Sequence, residues 1–175
     1  TMADLDGDGL PELIVGTWTD QVQRWKNIGT RQVPKWELAD SALVTITRGS
    51  NTTQTFADLD GDGDLDMMIG EASGQLNYYR NDGTASEPRF TLVSDNFQEI
   101  DVVRRSHPLL IDLEGTGRYD LLLGGDTGVL ELWRRVGTGA DVRFERDPGF
   151  ELRSDANLAP TLGDLFGTGK LTLIT

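Results

Sequence analysis

The sequence predicts an all-β fold made of repeated sheets of four short antiparallel strands, and three observations carry that expectation. An acidic, glycine-rich stretch recurs at Asp4, Asp58, Asp112 and Asp164, at intervals of 54, 54 and 52 residues. The register also holds outside it: Gly16, Gly70 and Gly124 share the period, as do Trp25, Tyr79 and Trp133, and then Gly29-Thr30, Gly83-Thr84 and Gly137-Thr138. The apolar runs between these markers are short, partly β-branched and bounded by glycine, with no sustained helical period. Similarity across the whole period means one folded unit repeated. Four short strands in about fifty residues is the size of a β-propeller blade.

Taken in order, residues 1–52 form the first blade unit, which starts at its acidic loop. It holds the end of a first strand, a second at Glu12–Val15, a third at Val22–Lys26 and a fourth at Lys35–Leu38, reached through a connection containing Gly29 and Pro34. Residues 53–106 repeat the plan with strands near 53–57, 66–69, 76–80 and 90–93. Residues 107–158 repeat it again near 108–111, 120–123, 129–134 and 143–146, and residues 159–175 hold two strands of a partial fourth unit. The whole is thus expected to be one propeller segment, three full repeats and part of another. A blade cannot bury both faces alone, so its neighbours must cover it. Trp25, Tyr79 and Trp133, with Trp36, Phe90 and Phe144, are the expected packing between blades. His107, the single histidine, reads as a solvated residue at a strand edge, and Arg104-Arg105 and Arg134-Arg135 read as solvated faces.

The acidic stretches carry the chemistry. Asp58, Asp60, Asp62 and Asp66 stand at positions one, three, five and nine of a tight loop. Alternate side chains then converge on one point while glycines let the backbone curl around it. Hard oxygen ligands at this spacing suit calcium, which takes about six to eight oxygens, with a backbone carbonyl, here Asp64, at the seventh position. Clustered carboxylates without a cation repel one another. An EF-hand begins in the same way but needs a glutamate at position twelve and flanking helices. Position twelve is Ile69, and the flanks read as strands.

The first loop offers Asp4, Asp6, Asp8 and Glu12 with the Leu10 carbonyl. The third offers Asp112, Glu114, Thr116 and Asp120 with the Arg118 carbonyl, one charge fewer, and is the weaker site. The fourth keeps Asp164 but has Phe166, Thr168 and Thr172 at the remaining positions, so no metal is expected there. Gly7/Gly9, Gly61/Gly63, Gly115/Gly117 and Gly167/Gly169 persist throughout. The turn is therefore structural in every copy, and metal is an addition in some.

At 175 residues and 37% hydrophobic content the chain can bury a real core. Net charge is −13, but eleven of the 29 acidic residues are the candidate carboxylate ligands of the three loops, and three bound calcium ions would bring the charge to −7. Acidity is thus largely a ligand inventory, and nucleic acid is disfavoured as a partner because its phosphates would be repelled. The absence of cysteine excludes disulfides, zinc–thiolate sites and thiol nucleophiles. No apolar run reaches the length of about eighteen residues that a membrane-spanning helix requires, and no signal peptide is read within these residues, so any secretion signal is expected upstream of them. Beginning at Thr1-Met2 directly on a loop, the chain reads as a piece of something longer.

The units resemble FG-GAP/VCBS repeats, the class found in integrin α-subunit propellers and in many bacterial surface and secreted proteins. The D-x-D-x-D-G-x-x-D loops at Asp4 to Glu12 and Asp58 to Asp66 carry the likeness, followed by Leu13-Ile14-Val15-Gly16 and Met67-Met68-Ile69-Gly70. Lys26-Asn27-Ile28-Gly29-Thr30 and Arg80-Asn81-Asp82-Gly83-Thr84 extend it. The resemblance implies calcium in the hairpin between a blade's first two strands, with Asp4, Asp6, Asp8, Glu12, Asp58, Asp60, Asp62 and Asp66 as ligands. It also implies a ring of more blades than this chain holds, completed by the same parent chain or by self-association. Extracellular calcium modules bind at about 10⁻⁴ to 10⁻³ M, which places the protein outside the cell, at its surface or in the periplasm.

The expected role is non-enzymatic adhesion or recognition of a protein or glycan, since nothing around His107 resembles a nucleophile elbow. A glycan-binding lectin is the alternative, with Trp18 as a ligand contact, because Ala72 and Asp126 stand at its equivalent positions. A propeller belonging to a polysaccharide-degrading enzyme is a further one.

Overall fold

The computed structural model describes every residue except 48, 156, 164, 167, 169, 171 and 175. Among the described residues, fourteen strands make three four-stranded antiparallel sheets and one of two strands. The first sheet holds β1 (Met2–Ala3), β2 (Glu12–Gly16), β3 (Gln21–Asn27) and β4 (Trp36–Thr45). The second holds β5 (Thr53–Ala57), β6 (Asp66–Gly70), β7 (Leu76–Asn81) and β8 (Phe90–Ser94). The third holds β9 (His107–Ile111), β10 (Asp120–Gly124), β11 (Val129–Arg135) and β12 (Phe144–Arg153), and the last pairs β13 (Thr161–Gly163) with β14 (Thr172–Ile174). Each strand pairs with its sequence neighbour, so each four-stranded sheet is a meander with the acidic loop joining its first two strands.

The outer strands depart from expectation. β4 and β12 run ten residues each, well past the segments read from sequence, with register shifts against β3 and β11. An outer strand is an edge, mostly exposed here, so it need not show the apolar pattern by which buried strands are recognised. A short 3-10 turn at Phe97–Glu99 also lies outside the strand pattern. It places Phe97 5.3 Å from the Tyr78 ring and 6.3 Å from the Phe144 ring, centroid to centroid, between the second and third sheets.

Three apolar cores lie between sheets. Met67, Ile69 and Tyr79 meet Leu5, Ile14, Val22, Val44 and Ile46 of the first sheet. Met68 and Tyr78 join Leu121 and Leu123 of the third, while Leu122 turns with Leu130 and Leu132 toward Leu162 and Leu173. Successive side chains on a strand point to opposite faces, so β6 and β10, buried at all five positions, must be apolar on both. Hence Met67-Met68-Ile69 and Leu121-Leu122-Leu123 are unbroken runs and not alternating ones. Each such side chain contributes about 1.5–3 kcal/mol when fully buried.

The glycine that closes each second strand has a packing reason. A Cβ on Gly70 would stand 2.1 Å from the Ser106 carbonyl oxygen, and Gly16 and Gly124 face Thr52 and Leu158 in the same way. At each of these points the chain entering the next blade crosses the second strand of the last. Polar bonds fasten the crossing: Thr53 Oγ1–H donates to the Ser106 carbonyl at 3.0 Å, and the Leu110 N–H donates to Thr55 Oγ1 at 3.0 Å.

Three expectations are corrected. His107 is half-buried against the second blade, its Nδ1 3.3 Å from Thr53 Oγ1, because its strand packs beside β5. Arg135 is 7% exposed, and Arg134 is held by Asp120 and Asp147, so this pair is no free surface. Of the recurring aromatics, Tyr79 and Phe144 enter the cores and Trp133 and Phe90 border them, but Trp25 and Trp36 are half-buried outside all three. Among the described residues no helix is long and apolar enough to cross a membrane.

Candidate metal centre

In the first loop, Asp4, Asp6 and Asp8 present carboxylate oxygens that all lie within 4.8 Å of one another, and in the second Asp58, Asp60 and Asp62 do the same. The aspartates fold the turn themselves. Asp4 Oδ2 accepts the Gly9 N–H at 2.9 Å and Asp8 Oδ1 accepts the Leu10 N–H at 2.8 Å. Asp58 accepts from Gly61 at 2.7 Å and Gly63 at 3.1 Å, one through each oxygen, and Asp62 Oδ1 accepts the Asp64 N–H at 3.1 Å. Gly63, at φ +98°, takes a conformation that a side chain would disfavour.

The position-nine carboxylates are spent differently. Asp66, 1% exposed, accepts the Asn81 N–H at 2.8 Å on Oδ1, and the Leu59 N–H at 3.1 Å and Tyr78 hydroxyl at 3.3 Å on Oδ2. Burial, opposed in part by these donors, pushes its pKa up to about 6. Glu12, fully buried, accepts the Leu5 N–H at 2.7 Å on Oε2. Its Oε1 is buried with no hydrogen-bond partner, and burial raises its pKa from the ordinary glutamate value. Position nine thus braces the turn against the sheet, and in the first loop it keeps an oxygen to spare.

Asp64 departs from the sequence reading, which gave only its carbonyl a role. Its side chain is 7% exposed, Oδ1 has no partner, and burial followed by the Asp62 charge pushes its pKa up to about 6. Asp4 Oδ1 is likewise buried and unpartnered. Buried polar atoms without partners are rare enough in folded proteins to require an explanation, such as an ion. Clustered carboxylates with spare buried oxygens form an all-oxygen donor set, and such a set fits calcium.

The third loop is built otherwise. Asp112 alone accepts the N–H groups of Glu114 at 3.2 Å, Thr116 at 3.1 Å and Gly117 at 2.6 Å, and these donors, the Gly117 N–H first, lower its pKa. Asp120 accepts the Arg135 N–H at 2.9 Å and Arg134 Nη1–H at 2.8 Å, while the Arg118 guanidinium donates to the Arg135 carbonyl. Among the described residues no carboxylate trio forms there. Asp164, Gly167 and Gly169 of the fourth loop lie outside the described residues. Trp18, in the β2–β3 turn, is 80% exposed beside the Thr17 and Thr19 hydroxyls, which are 2.8 Å apart.

Lys26, Arg80 and Arg134 recur at the repeat period, and the sequence pattern gives them no role at the loops. Lys26 Nζ contacts Asp6 Oδ2 and lies 3.3 Å from Asp8 Oδ2.

Sequential four-stranded meanders, packed face to face and opened by carboxylate turns, define a β-propeller-type arc. A family model described as an FG-GAP-like repeat matches residues 4–69, which span the first two acidic loops. The likeness read from those loops therefore stands over that span. No curated protein and no solved structure matches the chain.

Proposed function

We propose that the chain is a calcium-stabilised β-propeller segment that serves adhesion or recognition outside the cell and performs no catalysis. The observation that carries this reading is the second loop, where Asp58, Asp60 and Asp62 crowd their oxygens within 4.8 Å and Asp64 Oδ1 is buried unpartnered. Calcium there would relieve the mutual repulsion and hold the β5–β6 turn, whose Leu59 is in the core between the second and third sheets. The metal's role is structural. At calcium about tenfold above its dissociation constant, one such site stabilises the fold by about 1.4 kcal/mol. Sites of that weakness fill in extracellular calcium and stay empty at resting cytosolic levels, which supports an extracellular, surface or periplasmic location.

The test is a melting curve of the wild type and of Asp60→Ala, each with calcium and with chelator. Calcium should raise the melting temperature of the wild type by several degrees, at about 2–4 °C per kcal/mol for a chain of this size, and raise that of the variant by less. Identical melts in all four samples would remove the calcium reading.

Trp18 favours a glycan as the recognised partner, because an aromatic ring 80% exposed beside two hydroxyls is suited to stacking on a sugar. A glycan array probed with the wild type and Trp18→Ala tests this. Signals lost in the variant support it, and an array without wild-type signal leaves protein recognition as the role.

A further inference from the structure

We propose that one basic residue on the third strand of each blade, Lys26, Arg80 or Arg134, decides which acidic loop takes a divalent cation and in what order. The inference rests on the calcium reading above and adds an internal competitor to it. The three residues stand at the same register, 54 residues apart, yet each deals differently with its loop.

Lys26 lies on the metal trio itself, with its ammonium against Asp6 Oδ2 and 3.3 Å from Asp8 Oδ2. A cation entering the first loop must displace it. Glu12 of the same loop keeps a buried oxygen, Oε1, with no partner. Arg80 turns away: its Nε pairs with Asp82 Oδ1 at 2.6 Å. Among the described residues no basic side chain forms an ion pair with Asp58, Asp60 or Asp62, and Arg80 acts on Asp60 only as a charge without direct contact, so no protein cation stands on the second trio. Arg134 goes furthest, binding Asp120 Oδ2 through Nη1 at 2.8 Å and Asp147 Oδ2 through Nε at 3.2 Å. With the Arg118 guanidinium also held at this loop, on the Arg135 carbonyl, protein cations replace the metal there.

The order is then fixed by chemistry. The second loop fills first, the first fills at higher calcium as its lysine is released, and the third stays metal-free. Lys26 is 40% exposed at its side chain, so its competition is that of a partly solvated ion pair and is worth about two- to fivefold in affinity. Salt screens such a pair, so the gap between the two sites narrows as ionic strength rises.

Calorimetric titration of calcium into the wild type, Asp60→Ala, Lys26→Met, Lys26→Arg and Arg80→Met tests the assignment. The wild type should show a tighter and a weaker class, and Asp60→Ala should lose the tighter one. Lys26→Met should tighten the weaker class about two- to fivefold, whereas Lys26→Arg, which keeps the charge, should leave it in place. Arg80→Met should move the second loop less than Lys26→Met moves the first. A weaker class unmoved by Lys26→Met, or two wild-type classes of equal affinity, overturns the inference while calcium binding stands. A wild type that binds no calcium at all overturns the calcium reading and this inference together.

Discussion

Asp66 Oδ1 accepts the backbone N–H of Asn81 at 2.8 Å, and fifteen residues also separate Asp120 from Arg135, which make the same bond at 2.9 Å. The last loop carboxylate therefore ties the start of a blade's second strand to the end of its third. In the second blade it also holds Leu59 and Tyr78. Asp66→Ala should cost about 3 kcal/mol, since buried donors left unsatisfied cost about 1–3 kcal/mol each. Urea denaturation should show this loss with calcium and with chelator alike, in contrast to Asp60→Ala, whose loss needs calcium. Equal calcium dependence in both variants would show that Asp66 acts only as a metal ligand.

Gly70→Ala should destabilise by more than Gly61→Ala. The added Cβ at Gly70 would stand 2.1 Å from the Ser106 carbonyl oxygen, whereas at Gly61 it meets nothing within 4 Å and only the φ of +85° resists it. Overpacking costs about 1–3 kcal/mol or more, and a left-handed residue without glycine about 1 kcal/mol. Urea midpoints of the two variants give the comparison, and the reverse order would show that the blade crossing has slack.

Phe97→Ala should cost about 3–5 kcal/mol, the range for removing a buried aromatic ring. Its ring joins Tyr78 to Phe144 across two blades. Phe166→Ala, at a side chain 77% exposed, should change the urea midpoint by less than about 0.5 kcal/mol in equivalent stability.

His107 supplies a pH dependence of known sign. Burial lowers its pKa, Arg105 adds to the shift and Asp126 opposes it. The folded chain thus favours the neutral ring, so this contribution is complete above the unfolded value of about 6.5 and is lost as pH falls through the folded one. Between about pH 7.5 and pH 5 the wild type should lose more melting temperature than His107→Gln, whose side chain carries no charge in that range. Parallel profiles would place the ring in water.

The parts of this molecule legible in its sequence are those repeated by necessity. The loops, the buried second strands and glycines such as Gly70 recur because each blade meets the same steric and chemical demand. β4 and β12 extend past the segments read from sequence because edge residues such as Ser41 and Glu151, both exposed, need no apolar face. Phe97 was missed because its 3-10 turn occurs in one blade and breaks the period. At the loops, spacing identified the trio Asp58, Asp60 and Asp62. It could not show that Asp66 turns to the backbone, that Asp64 buries its carboxylate, or that Lys26 reaches back over twenty residues to Asp6.

The second sheet is flanked on both sides by apolar cores, one shared with each neighbour. Stability in such an arrangement is passed from neighbour to neighbour along a line, and the middle member is the last to open. The amide of Met68, in a strand shielded from both directions, should therefore be among the slowest in the chain to exchange its hydrogen for deuterium. Loosening that strand would separate the outer sheets from each other's support, and the arc would come apart from its centre.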